Sequence, residues 1–213
     1  DDFGYDIYQL QDKALANDYT VSIPTGIDML DETLGGGLDK GKLGLLIAPA
    51  GFGKTSFTTA IDSYAATHKC DMNNHMGYKV LQIYFEDDDV DITRKHYSRI
   101  TQTEARFMKR LDKPERDEIT ELLNNHPDKE LLRQNLRLKH FKTGTKSASD
   151  IEIFVKRLIN SGFKPDLISI DYFECLAPEK GGYSTDTEWT REGVTMRKLE
   201  NMRLNSLTTT VLF

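Results

Sequence analysis

The stretch Ala48-Pro-Ala-Gly51-Phe52-Gly53-Lys54-Thr55-Ser56 follows the short apolar run from Leu43 to Ile47, and its reading decides the fold. It has the form of a phosphate-binding loop, G-x-x-x-x-G-K-[ST], with Ala48 at the first glycine position. Gly51 and Gly53 let the backbone curl so that successive N–H groups point inward at one anion. Lys54 adds a point charge for the β- and γ-phosphates. Thr55 offers a hydroxyl to Mg²⁺ and opens a helix whose N-terminus favours an anion. The expected nucleotide-binding set is therefore Gly51, Phe52, Gly53, Lys54, Thr55 and Ser56. The amphipathic helix behind the loop carries Phe57, Ala60, Ile61, Tyr64 and Ala65 at helical spacing.

The wider composition bounds what the chain can be. The 213 residues bound the chain to one large domain or a domain with an extension. A hydrophobic share of 38% supports a real core, and no apolar run reaches membrane-spanning length. The acidic start, Asp1-Asp2-Phe3-Gly4, is unlike a signal peptide, and the missing initiator methionine reads as a trimmed or partial chain. Two cysteines, Cys70 and Cys175, make no disulfide framework and fit a reducing cytoplasm. With a net charge of -6 the chain is not broadly basic, so any nucleic-acid contact must come from local patches or from loops gathered in an oligomer.

Outward from the loop, helix and strand patterns alternate. Residues 5–17 predict a short helix with Ile7, Leu10, Ala14 and Leu15 on one face, too short to be stable without docking. Ile27, Leu30 and Leu34 predict another, closed by Gly35-Gly36-Gly37. Leu43 to Ile47 reads as the first core strand. Residues 67–78 read as a polar loop; His68, Cys70 and His75 are metal-capable there but lack a clear fourth ligand. Val80 to Phe85 is a strand ending in Glu86-Asp87-Asp88-Asp89. Residues 90–134 read as charged helices, with Pro114 in a first turn. Leu136 to Phe141 is a third strand. Ser149-x-x-Glu152 has the form of a capping box before a helix built on Ile151, Phe154, Val155, Leu158 and Ile159. Leu167 to Asp171 is an apolar strand, 178–190 a Gly/Ser/Thr-rich loop, Val194 to Leu204 a helix, and 209–213 the start of a last strand. The fold class is α/β, with a mostly parallel sheet flanked by helices.

In such a sheet the strands' carboxyl ends share one edge, and ligands bind there. The loop at 48–56, Glu86 and Asp171 all fall on strand ends. Asp171 is placed to hold Mg²⁺, usually through water. Glu86 is placed to orient and deprotonate an attacking water; the alternative is that four acidic residues in a row form a solvated turn. Glu86 is expected on a strand beside that of the phosphate loop, with Asp87, Asp88 and Asp89 turned away to cap the next helix.

Thr25-Gly-Ile-Asp-Met-Leu-Asp31, Gly35-Gly-Gly-Leu38, the loop at 48–56, the strand ending in Glu86 and Leu167-Ile-Ser-Ile-Asp-Tyr172 together resemble the RecA-like P-loop ATPase core. The resemblance is closest to the C-terminal ATPase domain of DnaB-type replicative helicases, including phage-encoded relatives. It divides the chain into a linker-like helical segment, 1–20, and an ATPase domain, 21–213. It implies ATP hydrolysis with Mg²⁺, translocation on single-stranded DNA as a hexameric ring, and a primase or loader partner. Lys54 and Glu86 would be the catalytic residues. The helix at 5–17 would dock on a neighbouring subunit. The loop after Asp171 would face the DNA channel, with Lys180, Gly181, Gly182, Tyr183 and Arg191 as contacts; an ordinary loop is the other reading, because Asp186, Glu188 and Glu192 dilute the charge.

Three departures stand out. Ala48 replaces a glycine, the insert between Glu86 and the third strand is long, and the family's polar sensor and arginine finger would lie beyond Phe213. Recombinases of the RecA/RadA type, KaiC-like ATPases and a nucleotide-gated assembly or loader module share most of these features and remain alternatives. A second basic run, Arg133 to Lys146, reads as the solvated face of a strand.

Overall fold

The computed structural model describes residues 22–49, 51–70, 75–179, 193–201 and 209–212. The expected helix at 5–17 and the loop residues Lys180, Gly181, Gly182, Tyr183 and Arg191 lie outside them. In chain order the helices are α1 (Asp28–Thr33), α2 (Lys54–Thr67), α3 (Asp89–Thr101), α4 (Lys113–Asn125), α5 (Lys129–Asn135), α6 (Ala148–Asn160) and α7 (193–201). The strands are β1 (Leu43–Leu45), β2 (Lys69–Cys70), β3 (His75–Met76), β4 (Val80–Tyr84), β5 (Leu136–His140), β6 (Leu167–Asp171) and β7 (Thr209–Leu212).

Five strands form a parallel sheet in the order β1-β7-β6-β4-β5. Two expectations are corrected here. Leu43 to Ile47 is not a central strand: β1 stops at Leu45 and sits at the edge of the described sheet, with Leu45 and Ile47 exposed. The strand leading to Glu86 is not beside it either, because β7 and β6 lie between β1 and β4. β7 inserts next to the phosphate-loop strand, a pairing that local sequence does not encode. The polar loop at 67–78 contains the β2–β3 hairpin, pairing Lys69 with Met76 and Cys70 with His75. Among the described residues no cluster of three metal-capable side chains occurs.

β4 and β6 are buried along their whole length, as central strands of a parallel sheet must be. Alternation then assigns each residue to a face. Leu81, Ile83, Ile168 and Ile170 point to one side, where Ile151 and Val155 of α6 and Leu199 of α7 close a core. Val80 and Leu167 point to the other, against Ile61, Ala65 and Ala66 of α2. α6 enters this arrangement through a capping box, but two residues earlier than expected. Its N-cap is Ser147, paired reciprocally with Asp150, while Ser149 is already helical and its N–H donates to Glu179. Pro114 does sit in the first turn of α4, behind a second capping box made by Asp112 and Glu115.

The Thr25-Gly26…Asp31 motif is a folding device. The Asp31 carboxylate accepts hydrogen bonds from the Thr25 backbone N–H (2.8 Å), the Thr25 hydroxyl (2.7 Å) and the Gly26 N–H (3.1 Å), and so fastens the turn to α1. Gly26 has φ +75°, and a Cβ there would lie 2.4 Å from the Tyr64 ring of α2. The motif therefore packs its backbone directly on the phosphate-loop helix. Gly35 shares nearly the same φ, +73°, with no atom near its missing Cβ. Gly35→Ala should cost about 1–2 kcal/mol from backbone strain alone. Gly26→Ala should cost about 1–3 kcal/mol more, because the ring must also move. Urea unfolding of both variants measures the difference; equal losses would show that the contact with Tyr64 does not matter.

Candidate functional site

α2 begins at Lys54, directly after the curl of the loop. Gly51 and Gly53 have φ +82° and +83°, the left-handed values that glycine alone adopts cheaply. Thr55, Thr59, Asp62 and Ala66 recur at intervals of three and four and share the helix face turned to the sheet. On β6, Asp171 and Ser169 share the face turned to α2, and on β4 Gln82 lies opposite Ser169 in register. The two patterns interlock. The Thr55 hydroxyl faces the Asp171 carboxylate across the cleft, close enough to lower its pKa. Gln82 Nε2 reaches Thr59 at 3.5 Å, and the Ser169 hydroxyl donates to Asp62 at 2.6 Å. Thus Thr55 and Asp171, 116 positions apart in the chain, meet because two periodicities bring them to one level.

Around this contact lies a cleft of about 730 Å³. Gly51, Gly53, Lys54, Thr55 and Ser56 line one side, and Glu86, Asp87, Lys95, Asp171 and Tyr172 the other. The Lys54 ammonium donates to the Ala48 carbonyl at 2.7 Å and stands 6.0 Å from the Tyr172 ring centre. Phe52 is 77% exposed in the loop, and Ile47 before it is exposed too. Glu86 is exposed at the carboxyl end of β4, and its Oε1 accepts the Tyr172 hydroxyl at 2.7 Å. That acceptor, and then burial, push the Tyr172 hydroxyl well above its ordinary pKa. Burial also raises the Asp171 carboxyl, against the lowering effect of the Thr55 hydroxyl and the Lys95 charge.

The acidic run after β4 does not behave as one unit. Asp88 caps α3, accepting the Asp91 N–H at 2.7 Å. Asp89 accepts the Tyr84 hydroxyl at 2.6 Å. Asp87, expected to turn away, instead lines the cleft and pairs with Lys95 from the second turn of α3. Lys95 is thus a second cation on the cleft wall, and the sequence reading passed over it. Its signal was the spacing from Asp87, two helical turns across the N-cap, which only matters once α3 starts at Asp89.

Beneath the cleft lies a buried polar layer. His96 is held between Ser63 (2.7 Å) and Gln82 (2.8 Å), and burial, assisted by the Arg99 charge, lowers its pKa to about 4, so the ring is neutral. Asp62 is 1% exposed; its Oδ1 has no hydrogen-bond partner among the described residues, and burial lifts its pKa to about 8. Both were legible as interruptions: Gln82 and Ser169 are polar residues inside otherwise apolar strand runs.

With this geometry in view, the comparisons with known proteins are specific. The DnaB-like helicase C-terminal domain family matches residues 22–203. The chain belongs to that family. No curated protein matches it. A solved structure of a DnaB-like replicative helicase and its interactions with primase superposes with a TM-score of 0.72 at 15% identity, covering 98% of this chain and 48% of the other. The chain thus spans about half the length of that helicase, and the likeness establishes the RecA-like DnaB fold. Among the described residues no helix is long and apolar enough to cross a membrane.

The Asp62 carboxyl provides a test of this layer. The folded chain holds its proton up to about pH 8, whereas an unfolded aspartate releases it near 3.8. The contribution to stability is intact below the unfolded value and is lost progressively as pH rises from there to about 8. Asp62→Asn stays neutral throughout. Its melting temperature relative to the parent should therefore climb between pH 5 and 8 in buffered thermal scans (roughly the window set by those two pKa values). A constant difference would mean that Asp62 does not titrate there.

Proposed function

We propose that the chain is the ATPase module of a replicative-type DNA helicase that hydrolyses ATP with Mg²⁺ and moves along single-stranded DNA as a hexameric ring. The carrying observation is the Thr55 hydroxyl facing the Asp171 carboxylate, with Lys54 and Glu86 on the same cleft. A hydroxyl and a carboxylate are hard oxygen donors, the set that Mg²⁺ takes together with water and phosphate oxygens. Thr55 and Asp171 would hold the ion, which when bound would neutralise charge that develops on the phosphates.

The chain's own groups divide the remaining work. Backbone N–H groups of the loop from Gly51 to Ser56 receive the phosphates. The Lys54 ammonium exchanges the Ala48 carbonyl for the β- and γ-phosphates. Glu86 orients the attacking water and accepts its proton, and Tyr172, donating to the other side of that carboxylate, fixes its direction. Lys95 would add a second positive charge on the cleft wall once it is drawn from Asp87. Exposed Ile47 and Phe52, two large apolar side chains at the phosphate loop, support burial against a neighbouring subunit of a ring. Lys180, Gly181, Gly182, Tyr183 and Arg191 stay the proposed channel contacts. A cytoplasmic setting and a primase partner follow from the family reading; the helicase whose structure this chain resembles was solved with its interactions with primase.

Lys54→Ala should abolish ATP binding or turnover. Glu86→Gln should leave binding near normal and lower single-turnover hydrolysis by roughly 10²–10⁴-fold. Asp171→Asn should raise the Mg²⁺ concentration needed for half-maximal turnover. If Asp87→Asn shows the large loss and Glu86→Gln does not, the base is misassigned; if none of these carboxylates matters, the chain is a nucleotide-binding module. Strand displacement on a forked duplex by the complete protein separates a helicase from a filament-forming recombinase.

A further inference from the structure

We propose that the crevice between β5 and α6 holds the phosphate backbone of single-stranded DNA, a contact that rests on the helicase reading and extends it to a new surface. The crevice encloses about 380 Å³. Three cations reach it from three elements: Lys139 from the end of β5, Lys146 from the turn before α6, and Arg157 from the third turn of α6. Sequence alone scatters them, and the run from Arg133 to Lys146 read as an ordinary solvated strand face. The structure sorts that run. Arg133 pairs with Glu130, and Arg137 lies over the Phe163 ring at 4.8 Å. Lys139 and Lys146 instead turn to the crevice, where Arg157 joins them.

No ion pair among the described residues includes Lys139, Lys146 or Arg157, while Lys69, Arg94, Lys95, Lys109 and Lys156 all have carboxylate partners. The carboxylate lining the crevice is Asp150, and it accepts the Ser147 N–H at 3.1 Å and the Ser147 hydroxyl at 3.3 Å. A locally positive hollow therefore exists on a chain whose net charge is -6. Such a feature concentrates polyanions despite the overall sign.

The walls favour phosphate over base. The Lys139 ammonium stands over Phe141 at 5.0 Å and over Phe154 at 5.8 Å, so the rings support the cation and their faces are already covered. What the crevice offers is charge, which a sugar–phosphate chain can use in any sequence.

Its location points the same way. The Lys146 carbonyl accepts the Ala177 N–H at 2.7 Å, the Gly144 N–H donates to the Cys175 carbonyl at 2.8 Å, and the Ser149 N–H donates to Glu179 at 2.8 Å. The crevice rim is thereby hydrogen-bonded to the segment that runs from Asp171 to Glu179. A change at the nucleotide cleft and a load on the crevice act on the same short piece of chain.

The test uses the complete protein and a fluorescein-labelled oligothymidylate, with affinity measured by anisotropy over a series of KCl concentrations. Lys139→Gln and Arg157→Gln should each weaken binding several-fold and lower the slope of log K against log salt by about 0.7, the value for one phosphate contact on a single strand. Arg133→Gln, in the same run but paired to Glu130, should leave the slope unchanged. ATP turnover without DNA should be unchanged in all three. Thermal melts check folding, and Lys146→Gln replaces any variant that melts early. If the parent binds the oligonucleotide and the crevice variants keep its slope, the crevice is not a DNA contact and the helicase reading stands. If the parent does not bind it at all, both readings fail. Loss of binding only to an aspartate-rich peptide, with DNA binding intact, would reassign the crevice to a protein partner and overturn the proposal.

Discussion

Helix α2 runs down the sheet against the direction of the strands, and its Thr55, Thr59 and Asp62 meet Asp171, Gln82 and Ser169 in turn. The positions of the cleft groups follow from this one contact line. It sets how far the phosphate loop stands from the end of β6, because the loop is the N-terminal extension of the same helix. It sets the height of Glu86, because β4 is paired with β6 in register, Tyr84 opposite Asp171. Thr25, Gly26 and Asp31 press on the outer side of α2 at Tyr64, so the helix is held from both sides.

A polar contact line through a core carries a cost. Each buried oxygen or nitrogen gives up water, and only a well-made hydrogen bond offsets that loss. The layer of Ser63, His96, Gln82 and Thr59 is satisfied, with the imidazole kept neutral. Asp62 is the exception, with one oxygen bonded to Ser169 and the other unpartnered. Its neutral form is the cheaper one to bury, which is why its pKa moves up. A wholly apolar interface would be more stable but would not specify the register of α2 on the sheet as sharply; the hydrogen bonds are directional where dispersion is not.

The cleft itself is electrostatically mixed. Lys54 and Lys95 face Glu86, Asp87 and Asp171 across it, and each cation already has an internal acceptor: the Ala48 carbonyl for Lys54 and the Asp87 carboxylate for Lys95. Both ammonium groups are thus held within the cleft, without the entropy of long free side chains. Basic surface is kept apart, on β5 and the start of α6, where it does not compete with these pairs.

Much of this was readable along the chain. The glycine spacing and Gly-Lys-Thr-Ser marked a loop that curls, since glycine supplies the positive φ that turns successive N–H groups toward one anion. The alternation of helices and apolar strands required a parallel sheet, and strand ends in such a sheet share an edge, so Glu86 and Asp171 were legible as cleft residues. The resemblance to DnaB-type helicases rested on those same short motifs. What local pattern could not decide was the order β1-β7-β6-β4-β5, which puts β7 beside β1, because strand order depends on long-range pairing that no window of sequence contains. Nor could it sort like from like: four consecutive acidic residues became a cleft carboxylate, an ion-pair partner, a helix cap and a tyrosine acceptor, and a basic run divided into paired and unpaired cations. The side-chain types were determined by the sequence; their roles were decided by which partner the tertiary fold brought within hydrogen-bonding distance.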